Sequence, residues 1–337
     1  RLDRFLAQEE LDDAKREQSA RAPMRVGKRQ PMPILRRFPR ETHRHITGMT
    51  EDGIARQDLL VTAILERRGR ITIEDWAEVI KRDVPPEHHC YGYLRAQEDE
   101  YVFPMVRGEV PPCYAGMLSP WPATHGYARS SHPIGIVNAG NPWQASRDAL
   151  DVGMLMFPRH GTGIWSAACY AAAIAEAMKS GASIDSVVAA AIAYGGPSME
   201  EWIRRVMEVA DDLDDVYEAR TVLTEWFDGW QMCGEENVSI ALAIFKMTSA
   251  DPEASVVAGV NWGRDTDCIA AMAAGLSGAL SGGERIPADW IATVDRATKD
   301  SRDSLYHRTI DEISRGLHQA VLSNIESLKR QIVSLEL

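Results

Sequence analysis

The sequence predicts an all-α protein. Apolar residues recur at helical spacing in successive runs, as at residues 57–67 and 303–335. Strand signals, meaning short β-branched runs of alternating polarity bounded by turn residues, are nearly absent. Ala- and Gly-rich apolar stretches, such as residues 166–179 and 269–280, have the length and composition of closely packed helices. With 337 residues, 45% of them hydrophobic, the chain can bury a sizeable core as one large domain or two smaller ones.

In chain order, residues 1–45 form a charged segment, basic and rich in Pro and Gly over 21–44, read as a solvated loop or an anion-binding lobe. Because the chain starts at Arg1 and not at Met, earlier sequence is expected. Thr50 then serves as a helix N-cap, with Glu51 and Asp52 in the first turn where the macrodipole favours acids, ahead of the amphipathic run 57–67. Thr72 caps the next helix, with Glu74 and Asp75 in its first turn. Pro85-Pro86-Glu87-His88-His89-Cys90 could be taken for a soft metal site but reads better as a loop. Residues 110–131, with Pro111, Pro112, Trp121 and Tyr127, make a rigid aromatic loop, either surface-packed or flanking a pocket with stacking faces.

Pro142 behind Asn141 is the favoured order for a helix start, predicting a helix over 142–157. His160-Gly161-Thr162-Gly163 opens the next helix, and its glycines would let backbone N–H groups approach a diphosphate, or simply let helices pack closely. Helices are expected at 184–194, 198–209, 215–226, 239–245 and 252–257, with the acid run 211–215 as a solvated turn. The amphipathic helix in 303–337 either packs on the bundle or makes a homodimer contact.

The stretch Asn261-Trp262-Gly263-Arg264-Asp265-Thr266-Asp267-Cys268 holds the most chemistry. Asp265 and Asp267 can converge only if the backbone there is still a turn, for which Gly263 supplies freedom. Converging carboxylates beside Asn261 suggest a hard, oxygen-coordinated cation such as Mg²⁺; otherwise one Asp is an N-cap and the other a solvated acid.

This motif resembles the C-terminal metal motif of the ADP-ribosylglycohydrolase family, Asn-x-Gly-x-Asp-Thr-Asp before an Ala/Gly-rich helix. Thr50-Glu51-Asp52-Gly53 resembles the family's first motif, Thr-Asp-Asp-Thr, with Glu and Gly substituted, and Asn138-Ala139-Gly140-Asn141-Pro142 resembles its Asn-x-Gly-Asp/Asn-Pro turn. The likeness runs over about residues 46–290 and implies a compact orthogonal multi-helix bundle in a domain at 46–302. It further implies one or two Mg²⁺ ions held by Thr50, Glu51, Asp52, Asp265, Asp267 and Cys268, although a thiol is a poor Mg²⁺ ligand. Substrate would be bound by Asn138, Gly140, Asn141, His160, Gly161, Thr162 and Gly163, with Asp52 and Glu51 as candidate catalytic acids. The family's opening Gly-rich helix, whose Glu activates substrate, has no counterpart in residues 1–45.

Composition constrains partners. Thirty-seven basic against 49 acidic residues give a net charge of −12, which disfavours nucleic acid and anionic lipid. Five cysteines (Cys90, Cys113, Cys169, Cys233 and Cys268), with no Cys-x-x-Cys pair, indicate neither a disulfide framework nor a thiolate zinc site, so a cytoplasmic setting is expected. No apolar run approaches the ~20 residues that span a bilayer. The resemblance thus implies a Mg²⁺-dependent hydrolase acting on an ADP-ribosyl or related N- or O-ribosyl compound, either a small molecule or an ADP-ribosylated protein. A repurposed enzyme of small-molecule or secondary metabolism and a catalytically silent binding protein are the alternatives.

Overall fold

The computed structural model describes residues 48, 52–84, 97–108, 110–227, 229, 231–301 and 304–335. Among these it is all-α: sixteen α-helices, one 3-10 turn at Gly283–Arg285, and no strand beyond an isolated bridge between Thr124 and Cys233. The segment 1–45, Thr50, Glu51 and the cluster His88-His89-Cys90 lie outside the described residues.

The first half runs α1 Asp52–Arg67, α2 Ile73–Asp83, α3 Gln97–Arg107, α4 Pro112–Met117, α5 Gly126–Ser130, α6 His132–Val137, α7 Pro142–Gly153 and α8 Thr162–Ala177. Local chemistry sets several starts. Thr72 and Asp75 form the capping box of α2, and Asn141 accepts from Gln144 N–H behind Pro142 to begin α7. Arg56 on α1 pairs with Asp99 on α3 at 2.8 Å, both fully buried. Trp76 of α2 stacks on Tyr127 of α5 with ring centroids 5.6 Å apart.

The axis of the bundle is α8. Its residues are apolar on every side and nearly all are buried, as a helix surrounded by other helices requires. Small residues let neighbours come close: a β-carbon at Gly135 of α6 would lie 2.7 Å from Ile174. This helix begins four residues before the predicted start at 166, because Gly161 takes the N-cap position.

The second half runs α9 Ile184–Tyr194, α10 Gly196–Asp212, α11 Val216–Leu223, α12 Gly234–Met247, α13 Pro252–Trp262, α14 Thr266–Ser281, α15 Ala288–Asp300 and α16 Ile310–Leu335. α13 extends five residues past the predicted 257 and takes Asn261 into its last turn, where the side chain is exposed and donates to Val257 O. α16 docks on the body through buried Leu317 and Ala320, with Gly316 so close to Leu65 of α1 that a β-carbon would lie 2.5 Å away. Beyond Ala320 no residue of α16 is buried, and Leu322, Ile325, Leu328 and Ile332 are exposed. No helix among the described residues is long and apolar enough to cross a membrane.

Candidate metal centre

The turn between α13 and α14 is built to hold one conformation. Gly263 has φ +87° and Arg264 φ +60°, so two successive left-handed residues reverse the chain. Two guanidinium groups pin it. Arg220 donates to the Trp262 carbonyl, and buried Arg264 donates to both oxygens of buried Glu236, with Arg264 Nη2 to Oε2 at 2.7 Å. Burial pushes the Glu236 carboxyl up, while Arg264 opposes this and favours the charged form.

Asp265 holds the N-cap position of α14 but makes no capping hydrogen bond. Its Oδ2 faces His125 Nε2 at 3.1 Å instead, so the plain N-cap alternative does not apply to it. Asp267 accepts from Arg129 Nη1 at 3.0 Å. The Cys268 thiol lies 3.5 Å from Asp267 Oδ2.

His125 and Arg129 are four residues apart around the short helix α5, a spacing that puts both on one side of it. They present two basic groups to two acids spaced two apart. The bridge between Thr124 and Cys233 places His125: its backbone N–H and its Nδ1 both meet Met232 O, at 3.1 and 2.9 Å. Arg129 is 4% exposed, and its guanidinium lies on Gly53. Ser130 Oγ also donates to Gly53 O at 3.1 Å. The start of α1 at Gly53 is therefore brought beside the residue that pairs with Asp267.

Burial would raise the Asp265 carboxyl, but the His125 hydrogen bond, with Arg129 beyond, holds it below the usual carboxylate range. Burial of its carboxyl end and the Asp265 charge push Asp267 upward against Arg129. Since 56% of the Asp267 side chain is open to solvent, the Asp265 charge is the weightier cause.

Donor atoms of His125, Asp265 and Cys268 all lie within 4.8 Å of one another. Nitrogen, oxygen and sulfur ligands at this spacing fit a divalent cation. Asp265 and Asp267 oxygens alone would suit Mg²⁺.

The predicted substrate elements separate. Gly161 N–H bonds Pro158 O and Gly163 N–H bonds Pro122 O, both at 2.9 Å, so these two groups do not face a diphosphate. Both glycines instead permit close packing: a β-carbon at Gly163 would lie 2.4 Å from Thr124 O. Thr162 Oγ1 is buried without a hydrogen-bond partner among the described residues at this end of α8, and His160 is exposed. Asn138, Gly140 and Asn141 lie at the other end, where Gly140 N–H bonds Ala175 O at 2.9 Å. From Thr162 to Ala175 the helix rises about 20 Å. There Asn138 donates to Asp148 at 2.9 Å, and Arg70 grips Asp148 with two bonds of 2.7 and 2.6 Å. Asn141 is the cap of α7.

His125, Arg129, Glu236 and Arg264 were not among the predicted site residues. Only the i, i+4 spacing of His125 and Arg129 could have pointed to two of them, and it lay within a stretch read as loop.

No curated protein matches the chain. The family model described as ADP-ribosylglycohydrolase matches residues 8–323, a longer span than the motifs alone indicate, and with the all-α bundle in place the chain belongs to the ADP-ribosylglycohydrolase family.

Proposed function

We propose that the protein is a divalent-cation-dependent hydrolase that cleaves the glycosidic bond of an ADP-ribosyl or related N- or O-ribosyl substrate. The family is one of hydrolases and is metal-dependent in general. The observation that carries the reading is the fixed meeting of His125 with Asp265 and of Arg129 with Asp267 at the start of α14. A bound cation would orient ribose hydroxyls and polarise the reacting centre. Asp265, held ionised, offers a fixed negative charge to the positive charge that builds at the anomeric carbon. His125 keeps that carboxylate in place, and the Arg264–Glu236 pair keeps the turn behind it from moving. Asp52, beside Gly53, remains the candidate for handling a proton. Mg²⁺ is the ion the acidic motifs suggest, and a cytoplasmic protein or small-molecule substrate is part of the proposal.

One observation favours a second reading, a repurposed or catalytically silent binding protein: Arg129 already neutralises Asp267, a residue the resemblance assigns to metal. The test is chromatography of the full chain with ADP-ribosylated peptides and N- and O-ribosyl compounds, wild type against Asp265→Asn. Release of ADP-ribose or ribose that Asp265→Asn lowers by about a hundredfold or more supports hydrolysis. Saturable binding without any release supports the silent protein.

A further inference from the structure

We propose that the outer half of α16 pairs in parallel with α16 of a second copy of this chain, so that the protein is a two-fold dimer joined by a short coiled coil. The inference does not depend on the hydrolase reading.

The apolar face of α16 changes side where the helix leaves the body. Ile313, Leu317 and Ala320 lie on one stripe at steps of four and three, and Leu317 and Ala320 are the buried residues that dock on the body. The same stripe continues as Asn324, Ser327 and Gln331, all polar. The apolar residues move one position on, to Val321, Ile325, Leu328, Ile332 and Leu335, about 100° further round the helix. A helix that went on covering its own body would keep its apolar residues on the first stripe. The outer face therefore answers to a different partner.

The composition of that face fits a second copy. Ile325 and Ile332 take the a positions of a heptad, and Leu328 and Leu335 the d positions, the arrangement that favours two parallel strands. His318 and Ser314 hold the preceding a and d positions, so the seam opens at Val321, directly after the last buried residue. In a parallel pair Asn324 at g faces Lys329 at e of the other helix, and no like charges are opposed. An antiparallel pair centred on the same stripe would set Lys329 against its own copy.

The area is also sufficient. Ile325, Leu328, Ile332 and Leu335 are 43, 50, 56 and 80% exposed, with Leu322 at 46% on the flank. With Val321 they present roughly 600 Å² of apolar surface per chain, close to the roughly 800 Å² that each partner brings to a stable interface. Because the docking stripe and the seam lie about 100° apart, a two-fold axis along the coil puts the two bodies on opposite sides of it.

Sedimentation equilibrium of the full chain, from nanomolar to high micromolar loading, tests this. Expected is a reversible monomer–dimer equilibrium in the micromolar range, with a dissociation constant that Leu328→Lys raises by at least about a hundredfold. Helicity by circular dichroism and the unfolding temperature of the dilute chain should not change, because Leu328 is exposed in the monomer. Under mild oxidation Leu335→Cys should form a covalent dimer above the wild-type level, since equivalent d positions face each other only in a parallel coil. A monomer at every concentration would overturn the inference, as would a dimer that Leu328→Lys leaves intact. A monomer that Leu328→Lys destabilises would show the stripe to be covered from within one chain, and would overturn it equally. A dimer lost in Leu328→Lys that Leu335→Cys does not cross-link would overturn the parallel orientation.

Discussion

Arg129 donates to Asp267 across 3.0 Å, and the same guanidinium covers Gly53 so closely that a β-carbon there would lie 1.9 Å from it. Two segments more than 200 residues apart in the chain thus meet on one cation. Replacing Arg129 with Met leaves Asp265 and Asp267 side by side with less compensation. A loss of about 1–2 kcal/mol is expected, small because Asp267 is more than half exposed. Added divalent cation should recover part of it by binding only the folded state. Thermal unfolding with and without EDTA decides this; a loss that no cation reduces would show that Arg129 acts by packing alone.

The Arg264–Glu236 pair should matter more. Both side chains are buried, at 4% and 1% exposure, so Glu236→Gln strands a guanidinium. The expected cost is about 3 kcal/mol, read from the urea midpoint. The pair of half-buried Lys246 and exposed Asp211 is the control, with Asp211→Ala expected within about 1 kcal/mol. Equal effects of the two substitutions would contradict a pinned turn.

His132 predicts a pH dependence. Its Nδ1 bonds Arg129 O at 2.7 Å and its Nε2 meets Tyr170 OH at 2.6 Å, and burial pushes the ring down to about 4. The folded value is depressed, so the unfolded chain binds a proton that the fold refuses. Stability is full above the ordinary value of 6.5 and falls as pH drops toward 4, by up to about 3 kcal/mol. Asp58 acts oppositely over much of the same range: burial raises it to about 6, so its contribution is full below 3.8 and lost as pH climbs through 6. Urea unfolding from pH 4 to 8 on wild type, His132→Gln and Asp58→Asn separates them. A His132→Gln difference that does not change with pH would exclude the histidine.

The tail prediction follows from where α16 leaves the body. Val321, Ile325, Leu328, Ile332 and Leu335 alternate at steps of four and three, with Ile and Leu in the order that favours a two-stranded coil. Removing residues 322–337 should leave unfolding temperature within a degree or two and halve the light-scattering mass if α16 carries a homodimer. Unchanged mass would assign the apolar stripe no role in self-association.

Some helices were legible because they carry their own start signal: Thr72 with Asp75 and Asn141 with Pro142 are local pairs that the structure confirms. The ends were less so. α13 runs on to Trp262 because tertiary packing buries Ala258, Gly259 and Trp262, which no local signal announces. Asp265 and Asp267 could be found as an acid pair, but their pairing with His125 and Arg129 could not, since those two come from a segment about 140 residues earlier. The glycines of 161–163 illustrate the converse: their pattern is equally that of phosphate approach and of close packing, and only the hydrogen bonds to Pro158 and Pro122 distinguish the two.

The contact between α13 and α14 limits how the centre can be adjusted. A β-carbon on Gly259 would lie 2.5 Å from the Ala270 α-carbon, so the two helices flanking the metal turn touch backbone to backbone. Interlocked rods of this kind have no side-chain cushion that can compress or re-rotamerise. The turn that carries Asp265 is therefore held between two rods that cannot shift against each other, and a cation held there would be selected by radius and donor preference rather than by these helices closing around it. Even a single methyl group at position 259 would displace that turn.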